Sequence, residues 1–209
     1  MKCTPLSLLL LLLSFSAAYG QIDCDRLFTS FKQGERPNCA SIALIKASLN
    51  VYGLNNLFDI EKVDNDNWKV TLKNNESFTL NNEEIGKARK SADFVIIHDD
   101  DENRKIVEYA VLTYAVMAKY MQIIDGEKDF DSALYDLETG AYTPTVYKYL
   151  GFKVGKQIVK LKRLSGGSYS GLVAWSSAHA VFACDRYMDY HGVKTPLWFK
   201  YSGRFMVKK

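Results

Sequence analysis

The stretch FKQGERPNCASIALIKASL, residues 31–49, carries the reading that decides the fold. Asn38 is a favoured N-cap type, and Ile42, Ala43, Ile45, Leu49 and Tyr52 follow it at helical spacing. That pattern predicts a helix over 39–52, closed by Gly53. Cys39 then stands at the head of the helix, with Gln33 six positions before it. A thiol attacks as thiolate, and the partial positive charge of a helix N-terminus favours that form. An amide beside it is a donor for a developing oxyanion. The plain alternative is a buried thiol in a core helix.

Working outward, residues 24–31 read as a short helix or turn. Beyond Gly53, Trp68, Val70 and Leu72 alternate, 73–76 turns, and Phe78 and Leu80 alternate again, which predicts a β-hairpin. ADFVIIH (92–98) reads as a short buried strand. The longest helix is predicted over 103–122, with acidic residues 99–102 at its positive end. A helical turn follows over 131–137, then a helix with Thr143 as cap, Pro144 at its first position and Gly151 closing it. From Phe152 onward the pattern turns to strands, in 153–161, 170–177, 178–188 and 196–207. Helices dominate the first half and strands the second, so the expected class is α+β, in two lobes around a cleft.

The first 20 residues combine Lys2, an apolar run over 8–13 and small residues at Ala18 and Gly20, the pattern of a cleaved secretory signal. No later segment approaches the ~20 apolar residues of a membrane span. The expectation is an exported single domain over 21–209, secreted, periplasmic or extracellular, acting as a monomer. Its charge without the leader is about +2, with no Lys/Arg cluster, which argues against nucleic acid as a partner. An aromatic share of 13% fits a packed fold rather than disorder. Three cysteines remain, Cys24, Cys39 and Cys184, an odd count that implies one bridge and one free thiol in an oxidising compartment. Three pairings are possible, and a reactive Cys39 requires Cys24–Cys184.

A reactive thiol also needs a base. Of three histidines, His98 precedes three aspartates at a solvated helix start, and His191 sits in a turn between strands. His179 opens an apolar strand, where its ring would face a cleft. Gln33, Cys39 and His179 together resemble the papain-fold cysteine peptidases, whose members carry Gln-x5-Cys at the central helix and His-Ala opening a strand of the second lobe. The calpain-like protease core is the nearest pattern: GERPNCASIALIKASL, the hairpin over 67–85, the long helix and DLETGAYTP are similar to its segments in order. The likeness spans about 26–203, and its specific part is the three residues alone. It implies a papain-like fold and a protein or peptide substrate. It also implies Cys39 as nucleophile, His179 as base and then acid, and Gln33 with the Cys39 N–H as oxyanion donors. No cofactor or metal is implied.

The chain departs from that family where an asparagine should orient the imidazole. Tyr201 falls at that place in LWFKYSGRF, and no Asn or Gln occurs from 185 to 209. Asp189, Thr195, Tyr201 and Ser202 are the available orienters, with Tyr201 favoured by position. Asp185 lies ~20 Å from His179 along a straight strand, out of reach, and Asp189 returns only if the hairpin turns early. Ala40 stands where the family often has tryptophan. Three functions compete: a secreted thiol hydrolase cleaving peptide or isopeptide bonds, a papain-fold binding module without turnover, and a Cys–His effector performing deamidation or transglutamination, which needs a narrow amide-sized pocket.

HDDDEN at 98–103 lacks the glycine and the twelfth-position ligand of a calcium loop. LSGGSYSGL at 164–172 lacks the lysine and spacing of a phosphate loop, and reads as a cleft-edge loop or a plain hairpin connection. Asn75 begins a glycosylation sequon, relevant in a eukaryotic host.

Overall fold

The computed structural model describes residues 20–162 and 169–209. Residues 1–19, which carry most of the leader motif, and 163–168, within the Gly-rich segment, lie outside it. Helix α1 (Cys24–Ser30) starts at Asp23, whose carboxylate accepts from the Asp25 and Arg26 amides. Strand β1 (Phe31–Gln33) leads to α2 (Cys39–Tyr52), which is buried from Ala40 to Tyr52. A helix buried on every side has no polar stripe to offer solvent and belongs at the centre of a fold. Gly53, at φ 77°, ends it by donating its N–H to the Leu49 carbonyl.

A three-stranded antiparallel meander follows, β2 (Phe58–Lys62), β3 (Asn67–Leu72) and β4 (Ser77–Asn81). Next come α3 (Asn82–Ala92), β5 (Phe94–Ile96), the 25-residue α4 (Asp101–Asp125), α5 (Phe130–Gly140) and a 3-10 helix (Thr143–Leu150). Strand β5 pairs with β1. The last six strands are β6 (Ile158–Lys160), β7 (Leu172–Trp175), β8 (Ala180–Cys184), β9 (Tyr187–Tyr190), β10 (Val193–Pro196) and β11 (Gly203–Val207). They form one antiparallel sheet in the order β10-β9-β8-β7-β11-β6.

The architecture is mixed α+β. The large core joins α1, α2, α4 and one face of the six-stranded sheet, including Phe28, Leu44, Tyr114, Phe182 and Phe205. A smaller core on the other face of that sheet holds Leu172, Val181, Met188 and Tyr201. A Cys24–Cys184 disulfide ties α1 to the end of β8. No described helix is long and apolar enough to cross a membrane.

Several sequence expectations are corrected here. Asn38 occupies the N-cap of α2 without capping it: its amide turns away and donates to the Ala92 carbonyl at 2.8 Å. Residues 82–85 leave the hairpin and begin α3, because Asn81 and Glu84 make a reciprocal capping box. The segment after Thr143 winds as a 3-10 helix whose cap position is Tyr142. Strand β5 is only partly buried, since it pairs at an edge with the short β1.

Candidate functional site

Cys39 gains its position from the loop before α2. Glu35 N donates to the Asp93 carboxylate at 2.7 Å, and a side chain at Gly34 would collide with Asp93. Only glycine lets the two segments approach so closely. The Arg36 carbonyl accepts from Asn38 N at 2.8 Å and from the Gln33 amide at 2.6 Å. The loop is thereby closed on itself, with Gln33 and Cys39 at its two ends. Cys39 is half-buried and, among the described cysteines, the one outside a disulfide.

His179 arrives from the sheet. The β7–β8 connection is tight: Trp175 pairs with Ala180, and Ser176 N donates to the His179 carbonyl at 2.9 Å. His179 therefore stands one residue before β8, beside the start of α2. Gln33, Cys39, His179, Asp189 and His191 line a space of about 20 Å³, the volume one water needs. Cys39 and His179 also line a second, open cleft of about 1040 Å³, between the α2 start, the 139–144 segment and the β7–β8 turn. The three residues singled out by sequence thus border one small space, and two of them face the cleft.

What surrounds the imidazole is less expected. Asp185 and Arg186, at φ 49° and 70°, make a two-residue turn between β8 and β9. This is the backbone sign pattern that matches strand twist in tight hairpins. The hairpin does turn early, and brings Asp189 and His191 back toward His179. A second such turn, His191–Gly192 at φ 53° and 84°, joins β9 to β10. There the His191 ring stacks on His179, with centroids 5.0 Å apart and planes 16° apart, while Tyr190 meets His179 edge-on at 6.1 Å.

Asp189 itself is committed elsewhere. One oxygen accepts from Gly192 N at 2.7 Å and the other from Lys46 Nζ at 2.5 Å. Lys46, on α2 and 0% exposed, also donates to the carbonyls of Leu27 (2.7 Å) and Phe31 (2.5 Å). Burial lowers the Lys46 pKa, and Asp189 opposes the shift. The His179 pKa is lowered, first by burial, then by His191; Asp189 pulls it up and Lys200 pushes it down.

The other sequence candidates lie as follows. Tyr201 is 1% exposed, within the smaller core. Burial, Tyr190 and Cys39 raise its pKa, and no described hydrogen bond or ring contact joins it to His179. Thr195 bonds back to the Val193 carbonyl on the outer strand β10. Ser202 lines the cleft. Asp185 lies at the far end of β8 from His179.

Two participants escaped the sequence reading. Lys46 was signalled by a lysine inside an otherwise small and apolar helix. His191 was read only as a turn residue; its approach, like the return of Asp189 named above, hangs on positive φ at Asp185 and Arg186, which aspartate tolerates but residue types alone do not fix. As for metals, the only described grouping of three close ligand atoms is Cys24, Cys184 and Asp185, and its sulfurs are bonded to each other. Asp99 and Asp101 pair with Arg104, while Asp100 caps α4, so this acidic run serves the helix start. Comparison with protein-family models, curated proteins and solved structures returns no match.

Proposed function

We propose that this chain is an exported thiol hydrolase with a papain-like, calpain-core layout that cleaves peptide or isopeptide bonds. The observation that carries the proposal is a free thiol at the start of a buried helix, sharing one water-sized space with Gln33 and His179. The Cys24–Cys184 bridge supports an oxidising destination. The large open cleft suits an extended chain better than a single amide side chain.

In the proposed mechanism, His179 takes the Cys39 proton and the sulfur attacks the carbonyl carbon. Charge then develops on the carbonyl oxygen. The Cys39 N–H faces no side-chain cap, and one Gln33 amide hydrogen remains after the bond to Arg36. Both are suited to receive that oxygen. Collapse of the tetrahedral intermediate breaks the C–N bond, His179 protonates the departing amine, and a thioester remains. Water, activated by the now neutral His179, hydrolyses the thioester and returns the proton to the sulfur. His191 stacking and the Asp189-pinned turn hold the ring in place of the asparagine that the family uses. That assigns ring positioning to β9–β10 and leaves Tyr201 as a packing residue of the smaller core.

A second reading, a binding module without turnover, is favoured by one observation: no described carboxylate or amide hydrogen-bonds the His179 ring. Alkylation separates the two. Iodoacetamide across pH 4–9 with peptide mapping is expected to label Cys39 fast near pH 5, with loss of that reactivity in His179→Ala. Labelling only above pH 8, unchanged by His179→Ala, would leave the binding module.

A further inference from the structure

The cleft has an uneven charge. Among the described residues no Asp or Glu lines it, whereas Lys200 and His179 do, and the uncapped start of α2 opens beside them. The positive end of a helix adds to the same sign. Lys200 is exposed and, like several other surface lysines but unlike Lys119, Lys148 and Lys194, holds no Asp or Glu oxygen among the described residues. Its ammonium instead lies over the rings of Trp198 (4.5 Å) and Tyr201 (5.6 Å). Ring faces of this kind favour a cation at one place without neutralising it. Lys200 is thus held at the cleft with its charge unanswered.

We infer that Lys200 is a carboxylate-binding subsite of the cleft, and that the substrate carries an acidic group within one or two residues of the bond attacked. The inference rests on Cys39 as the nucleophile. The carboxylate belongs either to an Asp or Glu side chain or to a free chain terminus. An anion docked on Lys200 also removes a charge that pushes protons off His179.

The test uses quenched peptides in matched sets: Glu against Gln near the scissile bond with amidated termini, and Gln peptides with free against amidated termini. Wild type is expected to favour one acidic form by about fivefold in kcat/KM, the scale of a partly exposed ion pair. The set that shows the preference identifies the source of the carboxylate. Lys200→Gln should erase it, and Lys200→Glu should reverse it toward a Lys-bearing peptide. The same peptides are titrated against Cys39→Ser by fluorescence anisotropy. Cleavage without charge preference overturns the subsite and leaves the hydrolase. Charge-selective binding that Lys200→Glu abolishes, without cleavage by wild type, keeps the subsite and overturns the hydrolase. Neither binding nor cleavage overturns both.

Discussion

His179 has neighbours that pull its proton affinity in opposite directions, and each pull is separately removable. Burial, His191 and Lys200 lower its pKa, and Asp189 raises it. Its NMR titration midpoint should fall below the usual ~6.5, and His191→Ala should move it upward; a downward move would mean the stacked ring is not the neighbour that matters. Stability follows the same sign. Between the depressed native value and ~6.5 the unfolded chain binds more protons at this site than the native one. The group therefore costs stability as pH falls through that window, and His179→Gln should flatten part of the loss of urea midpoint between pH 7 and 5. If the hydrolase reading holds, Gln33→Ala should lower kcat about 10²–10³-fold with little change in KM. A raised KM with kcat unchanged would instead assign Gln33 to substrate binding.

At this scale the meeting of Gln33, Cys39 and His179 at one small space was legible in the sequence, because a thiol at a helix start, an amide six positions before it and a histidine opening a strand are residue types that carry chemical meaning together. Their surroundings were not. Whether Asp189 returns to His179 depends on two backbone angles at Asp185 and Arg186, and composition does not fix those.

Elements are joined at the site by one ion pair. Lys46 links α2 to β9 through Asp189 and to the α1 and β1 carbonyls. Lys46→Met leaves the Asp189 carboxylate buried and unpaired, a loss of about 3–5 kcal/mol. The double variant Lys46→Met/Asp189→Leu should recover much of it; if denaturation gives additive losses instead, the two groups act independently. The β8–β9 turn offers a smaller effect. Arg186 holds φ 70°, so Arg186→Gly should stabilise by up to ~1 kcal/mol. The bounds of α2 and the core of α4 were readable because their apolar spacing runs long. Strand β2 and helix α3 were missed because β2 exposes four of its five residues and α3 buries only Ala88, Ser91 and Ala92. Thin amphipathic signals of that kind are decided by neighbours and caps.

Across the whole molecule, Cys24 and Cys184 enclose most of the chain, 160 residues apart. Their paired replacement by alanine should cost about 2–5 kcal/mol, read from urea midpoints at constant m-value. The α+β class and the late run of strands were visible at this scale. The disulfide partners were open until the two sulfurs were seen together.

The pairing of Lys46 with a carboxylate 143 positions downstream has a consequence for birth order. At ribosomal speeds of about 5–20 residues per second, β9 is made ~7–30 s after α2. Until then the middle of the nascent chain holds a cation that it cannot bury. The central helix must wait, loose or sheltered, for nearly the last strand, and a polypeptide stopped short of residue 189 should be cleared by proteases rather than accumulate.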